Sequence, residues 1–419
     1  MVLYNFFLLL YPIIAKLIAP FNEKANHWVQ GQSQVWAEIG RLAAQLNKPI
    51  IWVHCASYGE FEQGLPIIEK LKSDYPGYQI WLTFFSPSGY LHRKNDTNVD
   101  FVSYLPLDGP ENASRFIHLI QPKLIIFIKY EFWYYYLAEA KKQKIPTLLV
   151  AAIFRKDQLF FKHYGRFYLK MLDLFSGILV QDANSFELIK PLIHEQKIKV
   201  IGDTRFDRVV TTAKNIQQYD WLSKFFTAPI IIAGSTWNKD HEILSNLTTT
   251  HTNLNWIIVP HLVDKKSIQQ CAQFFPTATL LSDLLHTGKA AISFEQPTII
   301  IVDQMGYLRS LYQYAHICYV GGGFGAEGIH NVLEPAAFAK PVIWGPNDTK
   351  YIEAKGLLEA GGGFRIQNKV ELTDTLFSLL HDKTTYENTS KNAVNFIQKN
   401  AGATQKIMSY IQENRLLTN

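Results

Sequence analysis

Several charged side chains of this sequence follow short apolar segments, at the positions where buried strands would end. Glu60 comes after the apolar run "PIIWV", Glu131 after "LIIFIKY" and Arg155 after "LLVAAIF", and Arg205 lies in "VIGDTRFD". In an open parallel α/β sheet, ligands bind outside the carboxyl ends of the strands. Carboxylates and guanidinium groups gathered there could bind a polar or charged ligand.

The second half of the chain repeats this arrangement. The residues that follow its apolar runs are Ser235 and Thr236, Pro260 and His261, the segment from Asp303 to Tyr307, and the segment from Gly321 to Glu334. One such polar stretch would be ordinary for a loop. Eight of them, spread over both halves, predict that they border one shared cleft.

The stretch "YVGGGFGAEGIHNVLEPAAF" has the composition of a ligand-binding loop. Glycines let a backbone approach a ligand closely, and we expect a helix to begin near His330 and Asn331, with Asn331 as its N-cap and free N–H groups for an anion. Glu334 could accept hydrogen bonds from sugar hydroxyls. The alternative is a tight strand-to-helix turn in which Glu334 is a capping acid. Ser235 or Thr236 is also predicted to cap a helix, which is compatible with phosphate contact.

Ordinary structural roles are open to the charged residues of the first half. Glu60 could be an acid that stabilises a helix dipole, an effect worth only ~0.3–1 kcal/mol. Glu131 lies in an aromatic cluster, where its carboxylate would need a basic partner. The candidate ion-pair partners are Lys129 and Arg155 for Glu131, and Asp203 and Asp207 for Arg205.

The sequence contains no Asp-x-Asp triplet. A divalent cation that bridges a nucleotide diphosphate normally needs such carboxylates. We therefore expect no metal site and no cofactor, so that basic residues and helix termini would hold a leaving phosphate. The three cysteines, Cys55, Cys271 and Cys318, lie far apart and are interpreted as small buried side chains in a reducing compartment.

The elements that position these residues are predicted from the alternation of apolar and helical patterns. Apolar runs such as "IIWVHCA" and "PIIIAGST" alternate with helical patterns such as "GLPIIEKLKSDYP", which indicates parallel sheets covered on both faces. A helix is also expected near Trp36 to Leu46, and Pro66 must lie in the first turn of its helix or kink it. The fold class is therefore α/β, with two doubly wound, Rossmann-like halves joined near residues 211–228.

Length and composition are consistent with this organisation. The chain has 419 residues, of which 47% are hydrophobic, so two globular domains are expected. The net charge of +5 fits an anionic substrate or membrane surface, but it is too small to predict a nucleic-acid partner. We expect a membrane-associating segment at 1–30 and domains at 31–215 and 216–419, with a last helix that could pack back on the first domain.

The N-terminal segment from Leu3 to Phe21 is almost wholly apolar. No basic residue precedes it and no A-x-A site follows it, which argues against a cleaved signal peptide. Its length permits a spanning helix, but Pro12 would break the hydrogen-bond ladder and Lys16 lies within it. An interfacial anchor is at least as well supported, and a buried helix of the first domain is the alternative.

Taken together, the motifs resemble those of a known family. "HCASYGEFEQGLPIIEKL", "KYEFW", "GDTRFD", "GST", "VDQMGYL" and "GGGFGAEGIHNVLEPAAFAKPVIWGPN" occur in this order between residues 54 and 347. The pattern is similar to that of the 3-deoxy-D-manno-octulosonic acid (Kdo) transferases, which act in lipopolysaccharide synthesis in Gram-negative bacteria. The first and last motifs are highly specific as a pair, whereas "GST" is not.

This resemblance implies a GT-B fold, with an acceptor-binding domain first and a CMP-sugar-binding domain second. It implies metal-independent, inverting transfer of Kdo from CMP-Kdo to a lipid A precursor (lipid IVA) at the cytoplasmic face of the inner membrane. Glu60 matches the family's general base, and Glu131 and Arg205 match its transition-state stabilisers. The positions that match its CMP contacts are Pro260, His261, Met305, Gly306, Tyr307, Asn331, Val332, Leu333 and Glu334, with Ser235 as a weaker match.

Some positions depart from the family pattern. The family usually has Arg where this chain has His261, an acid where it has Tyr307, and Lys where it has Arg205. A histidine carries less charge than an arginine at neutral pH, and an arginine is planar and forked where a lysine is not. Trp133 lacks the usual following proline, and Arg155 is only an approximate match. These departures concern ligand contacts and leave the reaction class unchanged.

Three other functions fit parts of the sequence. Another GT-B enzyme that uses a UDP-sugar, either a glycosyltransferase or an epimerase, would share the glycine-rich loop and Glu334 but not the "ASYGE" turn. A two-lobed solute-binding protein would need export and a cleaved signal. A membrane-associated scaffold that kept only the fold would have no need of Glu60, Glu131 and Arg205.

Overall fold

Seven short apolar segments form the parallel sheet of the first half of the chain. Its strands are β1 (Ile50–Cys55), β2 (Gln79–Phe84), β3 (Phe101–Tyr104), β4 (Pro122–Ile128), β5 (Thr147–Ala152), β6 (Gly177–Val180) and β7 (Ile198–Val200). Their order in the sheet is β3-β2-β1-β4-β5-β6-β7, with every pair parallel. β1, β2 and β5 are buried at every residue, because apolar helix faces cover both sides of the sheet.

Two of the helices in this half begin earlier in the chain than the sequence predicts. They are α1 (Val2–Ile18), α2 (Glu23–Ala43), α3 (Tyr58–Asp74), α4 (Pro87–Arg93), α5 (Pro110–Ile120), α6 (Tyr134–Lys142), α7 (Arg166–Leu174), α8 (Ala183–Ile189) and α9 (Thr204–Lys214). The prediction that α2 begins near Trp36 is wrong, since Asn22 caps the helix by accepting a hydrogen bond from the Ala25 N–H. α3 begins at Tyr58, and the fully buried side chain of Phe61 belongs to its first turn. Pro66 therefore lies in the middle of α3 rather than in its first turn.

The second half contains another seven-stranded parallel sheet. Its strands are β8 (Ile230–Thr236), β9 (Asn255–Pro260), β10 (Thr279–Leu280), β11 (Ile299–Ile301), β12 (Ile317–Val320), β13 (Val342–Trp344) and β14 (Gly363–Arg365), in the order β10-β11-β9-β8-β12-β13-β14. The edge strands β10 and β14 were not predicted. Each has only two or three residues and is partly exposed, so neither carries a continuous apolar run.

Helices cover the second sheet, and the last helix returns to the first. They are α10 (Asn238–Thr250), α11 (Lys265–Phe274), α12 (Leu281–His286), α13 (Leu308–Leu311), α14 (Leu333–Ala337), α15 (Ile352–Glu359), α16 (Lys369–His381), α17 (Lys383–Asn400) and α18 (Ala403–Glu413). In α18, Ile407, Met408 and Ile411 are buried in the same apolar cluster as the residues of β1 and β2. The chain end is thereby part of the first core.

The chain divides into two compact units. The structure, a computed structural model, describes residues 1–162, 165–219, 222, 228–250, 253–286 and 298–418. The first unit comprises residues 1–208 and 401–419, and the second comprises residues 209–400. The chain thus passes from one unit to the other within α9, and the predicted junction at 211–228 lies partly outside the described residues.

The N-terminal apolar segment forms one continuous helix. α1 runs through Pro12, and a short 3₁₀ turn, Ala19–Phe21, follows it. The prediction that Pro12 would break the ladder is wrong, because a proline removes only one backbone donor and α1 is supported by packing against α2. By length and composition alone, the segment Val2–Phe21 could cross a membrane. Near its start, the Tyr4 hydroxyl donates to Asp108 at 2.5 Å, which ties α1 to the first unit.

Candidate functional site

β1 and β4 are neighbours at the point where the strand order of the first sheet reverses, and their carboxyl ends lie side by side there. β2 and β3 lie on one side of β1, and β4 starts the other side, with His54 opposite Phe127. Open α/β sheets bind ligands in the crevice at such a switch point. Glu60 follows β1 and Glu131 follows β4, so the fold brings both predicted residues to this end of the sheet.

Glu60 is the third residue of α3 and lies in its first turn. Ser57 is the N-cap residue, but its side chain makes no bond to the helix backbone; its hydroxyl donates to the Glu60 carboxylate. The N-terminal end of a helix favours an ionised carboxylate. Since the Glu60 side chain is only half-buried, this helix-dipole acid is also accessible as a proton acceptor.

Glu131 is buried, with only 7% of the residue exposed. Its Oε2 accepts hydrogen bonds from the Trp133 indole at 2.6 Å and from the His54 Nε2 at 3.0 Å. The sequence suggested Lys129 or Arg155 as the partner of this carboxylate. The structure instead brings an imidazole and an indole to it, and both are held in the aromatic core of the first unit.

The hydrogen bonds of His54 determine its tautomer. Its Nδ1 lies 2.8 Å from the Thr83 hydroxyl oxygen, and that oxygen also accepts the indole N–H of Trp52 at 2.8 Å. In the neutral form of the ring, the acceptor Glu131 places the proton on Nε2, and Nδ1 accepts the Thr83 hydroxyl proton. The fully buried imidazole therefore links the core of the sheet to the carboxylate at its end.

Arg205 is the second residue of α9, at a helix start rather than directly after a strand as predicted. Asp203 accepts from its Nε at 2.9 Å and from its NH2 at 2.7 Å, so the ion-pair alternative is present in the structure. The neighbouring Thr204 hydroxyl donates to the Gln63 carbonyl at 2.6 Å. This buried bond fixes the start of α9 against α3, the helix that carries Glu60.

Two nearby groups, the half-buried phenol of Tyr130 and the buried thiol of Cys55, show that the predicted residues converge. Burial raises the pKa of the Tyr130 phenol, on which the charges of Arg155, Glu60 and Arg205 also act. Burial raises the pKa of the Cys55 thiol, and the charges of Glu60 and Glu131 raise it further. Both carboxylates and the two guanidinium groups therefore lie at the same end of the first sheet. Their catalytic roles stay predictions.

In the second unit, the glycine-rich loop follows β12, beside the end of β8. A Cβ atom at Gly321 would lie 2.5 Å from the Ser235 carbonyl oxygen, so only glycine permits this approach of the two chain segments. Asp240 holds the loop, because its carboxylate accepts the N–H of Gly322 at 2.9 Å and the hydroxyl of Tyr319 at 2.6 Å. Burial raises the pKa of Asp240.

The predicted helix cap at Ser235 or Thr236 is wrong. Both residues belong to β8. The carboxylate of Asp240 instead stabilises the start of α10, because it accepts the Trp237 N–H at 2.8 Å. Ser235 adopts a positive φ of 54°, and the Thr236 hydroxyl lies 2.8 Å from His241 Nε2. Ser235 therefore remains at the strand end as a candidate ligand contact, without a capping role.

Three aromatic rings stack at the end of β9. The ring of His261 stacks on both Trp237 and His330, with centroid distances of 4.7 Å and 4.3 Å, and the Trp237 and His330 centroids are 6.4 Å apart. The Trp237 indole donates to His330 Nε2 at 3.1 Å. Burial lowers the pKa of His261 and lowers that of His330 to about 4, so both rings are neutral at pH 7. Pro260 precedes this stack as the last residue of β9.

The remaining predicted donor residues lie in the loop after β11 and in the short helix α14. Met305 is 76% exposed, Gly306 has a φ of 92°, and Tyr307 stacks on Tyr219 with a centroid distance of 5.4 Å. Arg309 links the two segments, because its Nε lies 3.2 Å from the Glu334 carboxylate. Glu334 therefore forms an ion pair, in addition to any contact with a sugar.

The helix expected to begin near His330 and Asn331 starts at Leu333. The Asn331 side chain still accepts the Leu333 N–H at 3.0 Å, although Val332 is the formal N-cap. Val332 and Leu333 are fully buried, so neither residue presents surface to a ligand in this structure. Across the described residues, no group of three or more His, Cys, Asp and Glu side chains has the arrangement to hold a metal ion.

Known proteins were compared with the chain. A family model described as 3-deoxy-D-manno-octulosonic-acid transferase (Kdo transferase) matches residues 33–208. A 3-deoxy-D-manno-octulosonic acid transferase of Aquifex aeolicus (strain VF5) is 32% identical over 344 residues, which are 80% of this chain and 87% of that protein. The chain belongs to the Kdo transferase family. The Haemophilus influenzae protein of the same description is 27% identical over 419 residues, covering 96% of this chain and 95% of its own.

As a member of the Kdo transferase family, the chain is a glycosyltransferase. Among solved structures, the UDP-GlcNAc 2-epimerase of Neisseria meningitidis superimposes with a TM-score of 0.62 at 14% identity, over 87% of this chain and 100% of that one. At that identity the likeness concerns the fold alone. With its two parallel-sheet α/β units, the chain has the predicted GT-B fold.

The sequence reasoning missed His54 and Thr83. His54 is the single polar residue of "IIWVHC", and Thr83 is one of two polar residues, with Gln79, in "QIWLTF". The two residues face each other in the register of β1 and β2. A polar residue in a buried strand needs a partner, so this signal could have indicated that each side chain is paired, while the pairing itself depends on the strand register. Asp240 carried no comparable signal, since Asp near a helix start reads as an ordinary capping acid.

Proposed function

We propose that this glycosyltransferase transfers Kdo from CMP-Kdo to a lipid A precursor, lipid IVA, with Glu60 as the general base. The observation that supports this most is the half-buried carboxylate of Glu60 at the switch point of the first sheet. The charge of Glu60 acts on the Cys55 thiol together with that of Glu131, and on the Tyr130 phenol together with that of Arg205. In the proposed reaction, Glu60 accepts the proton of a glucosamine hydroxyl as that oxygen attacks the anomeric carbon of Kdo.

The bond from the anomeric carbon to the CMP phosphate oxygen breaks as the new glycosidic bond forms. A single displacement of this kind inverts the configuration at the anomeric carbon. The CMP phosphate takes up the electron pair of the broken bond, so the developing negative charge needs a cation nearby. Arg205 is the proposed cation on the side of the first unit, and Glu131 is proposed to stabilise positive charge that develops on the sugar.

The proposed donor site is formed by residues of the second unit. It comprises Ser235, Pro260, His261, Met305, Gly306, Tyr307, Asn331, Val332, Leu333 and Glu334. A neutral His261 within an aromatic stack suits a cytosine ring better than a phosphate, because it adds a flat surface and no charge. The reaction is proposed to need no metal or other cofactor, and no nucleic acid takes part.

The acceptor is a lipid, so the proposed place of action is the cytoplasmic face of the inner membrane of a Gram-negative cell. The apolar helix α1 supports this location, since the apolar side chains on its outer face are exposed at the surface of the first unit. Whether α1 spans the bilayer or lies on it, it would keep the enzyme beside its acceptor.

The rival donor is a UDP-sugar, and calorimetric titration separates the two. We expect the full chain in detergent to bind CMP more tightly than UDP. Incubation with CMP-Kdo and lipid IVA should then give a product whose mass is increased by Kdo. Preferential binding of UDP, or an unchanged acceptor mass, would contradict the proposal.

A further inference from the structure

An open apolar groove runs beside the candidate site in the first unit. α1 and the start of α2 form two of its walls, and the loop after β2 forms the third. Its volume of about 620 Å³ falls within the range of small-molecule binding pockets. Phe6, Phe7 and Ile14 line it and remain 57%, 49% and 49% exposed, so the described chain leaves this apolar surface uncovered.

Two aromatic rings connect the groove to the Glu131 carboxylate. Phe85 lines the groove and packs on Trp133 with a centroid distance of 4.8 Å. Trp133 in turn donates its indole N–H to Glu131 at 2.6 Å. A molecule in the groove would therefore be separated from the Glu131 carboxylate only by the side chains of Phe85 and Trp133.

The charges around the groove favour an amphipathic anion. Lys24 is the one charged residue among its described lining residues, which include no carboxylate. An alkyl chain would be accommodated by the apolar walls, and a negatively charged head group would be attracted by the ammonium. Tyr11 and Trp28 close the groove on the inside, with ring centroids 4.9 Å apart.

We propose that this groove binds one acyl chain of the lipid acceptor while the sugar head group of the acceptor lies at the Glu60 and Glu131 end of the sheet. This inference rests on the proposed function and adds to it the place of the acyl chain. The groove acts as a specificity site, because an acceptor without acyl chains gains nothing from it.

The test fills the groove without altering the catalytic residues. Ala15 lines the groove, so Ala15→Trp should occupy the space of the acyl chain. Leu17→Trp is the matched control: it adds an indole to the same helix at a residue that is 70% exposed and does not line the groove. Transfer is measured with CMP-Kdo and either lipid IVA or its deacylated head group.

For Ala15→Trp we expect the KM for lipid IVA to rise about tenfold or more with kcat nearly unchanged, since only ground-state binding is lost. Activity on the deacylated acceptor and the values for Leu17→Trp should equal those of the wild type. An unchanged KM for lipid IVA, or an equal loss on both acceptors, would overturn the proposal.

A photoreactive acceptor gives a second readout that does not depend on how the variant folds. Lipid IVA carrying a diazirine on one acyl chain should label wild-type peptides that contain Trp28 or Phe85. Equal labelling by a diazirine phospholipid would overturn the assignment to the acceptor, and absence of labelling there would overturn the groove. If the wild type transfers no Kdo to either acceptor, the proposed function fails, while the labelling still decides whether the groove holds an acyl chain.

Discussion

At the scale of single residues, the imidazole of His54 determines how Glu131 is held. In its neutral form, His54 donates to the carboxylate from Nε2, 3.0 Å away, and accepts from the Thr83 hydroxyl at Nδ1, 2.8 Å away. Thr83 in turn accepts the N–H of Trp52. Every proton in this buried chain has one acceptor, so the tautomer and ring orientation of His54 are fixed before any ligand binds.

The substitution Thr83→Val tests this chain of hydrogen bonds. It removes the hydroxyl but keeps the shape of the side chain, which leaves the Trp52 N–H and the His54 Nδ1 buried without a partner. We expect the free energy of unfolding to fall by about 1–3 kcal/mol. Urea denaturation of the purified chain measures it.

Thr83→Ser is the matched control, since it keeps the hydroxyl and loses only a methyl group. Its cost should be clearly smaller than that of Thr83→Val. Equal losses for the two variants would show that packing rather than hydrogen bonding stabilises this position.

The sequence predicted site residues where a charged side chain followed an apolar run. That rule found Glu60 and Glu131, because charged side chains at strand ends are unusual in sequence and common in sites. It missed His54 and Thr83, because the hydrogen bond between them depends on the strand register, which local pattern does not determine. The catalytic assignments themselves stay predictions.

At the scale of secondary-structure elements, Asp207 anchors the C-terminal helix α18. Its carboxylate accepts the backbone N–H groups of Gly402 at 2.5 Å and Thr404 at 2.7 Å, together with the Thr404 hydroxyl at 2.8 Å. These bonds satisfy free donors at the start of α18 from a residue far away in sequence. The long-range contact completes the first unit, in which α18 covers one face of the sheet.

Replacing Asp207 by Ala should destabilise the chain by about 0.5–2 kcal/mol, the range for loss of a helix cap. The loss should appear as faster amide hydrogen exchange throughout α18. Asp382→Ala is the control, because Asp382 makes the same three kinds of bond to the nearby Thr384 and Thr385. Its effect should be confined to the start of α17, and fast exchange in α18 of this control would contradict the account.

The helix α10 carries a buried histidine that makes the second unit sensitive to acid. Burial lowers the pKa of His241 to about 4, against 6.5 for an ordinary histidine. The unfolded chain therefore binds this proton between pH 6.5 and 4 while the folded chain does not. Stability is fully present above pH 6.5 and is lost as the pH falls, by up to about 3 kcal/mol at the lower end.

His241→Asn removes this titration, so the stability of the variant should depend less steeply on pH between 6.5 and 4 than that of the wild type. Urea unfolding at a series of pH values checks this. His118→Gln, at a side chain that is 64% exposed, is the control and should keep the wild-type slope. An unaltered slope in His241→Asn would mean that other groups determine the acid sensitivity.

Prediction of whole elements succeeded where apolar runs were long and failed where they were short. The central strands follow directly from continuous apolar segments. β10 and β14 could not be predicted, because pairing with a neighbouring strand rather than their own composition defines them. The starts of α2 and α3 were also missed, since polar residues there are held by caps and by burial of single side chains.

At the scale of the whole molecule, the outer face of α1 is expected to hold the enzyme at the membrane. Leu9, Ile13 and Leu17 are 66%, 51% and 70% exposed. Changing all three to Gln should move the chain from the membrane fraction to the supernatant, because each buried CH₂ group contributes about 0.8 kcal/mol to partition into lipid. The measurement is fractionation of lysed cells at fixed salt.

The control for this experiment changes three exposed apolar residues of the second unit, Leu262, Val370 and Phe377, to Gln. These changes reduce surface hydrophobicity by a similar amount, and the chain should stay in the membrane fraction. A wild-type chain found in the supernatant would contradict the membrane anchor.

The central claim is that Glu60 takes the proton of the acceptor hydroxyl. Glu60→Gln keeps the size of the side chain but cannot accept that proton. Transfer of Kdo from CMP-Kdo to lipid IVA should then fall in kcat by about 10²–10⁴-fold, the usual contribution of a general base. Glu62→Gln is the matched control on the same helix, where the carboxylate pairs with Arg93 and Arg208.

The assay therefore compares kcat for the wild type, Glu60→Gln and Glu62→Gln, with the fold checked by circular dichroism. The account predicts a large loss for Glu60→Gln and near-normal turnover for Glu62→Gln. Near-wild-type turnover of a correctly folded Glu60→Gln variant would contradict it.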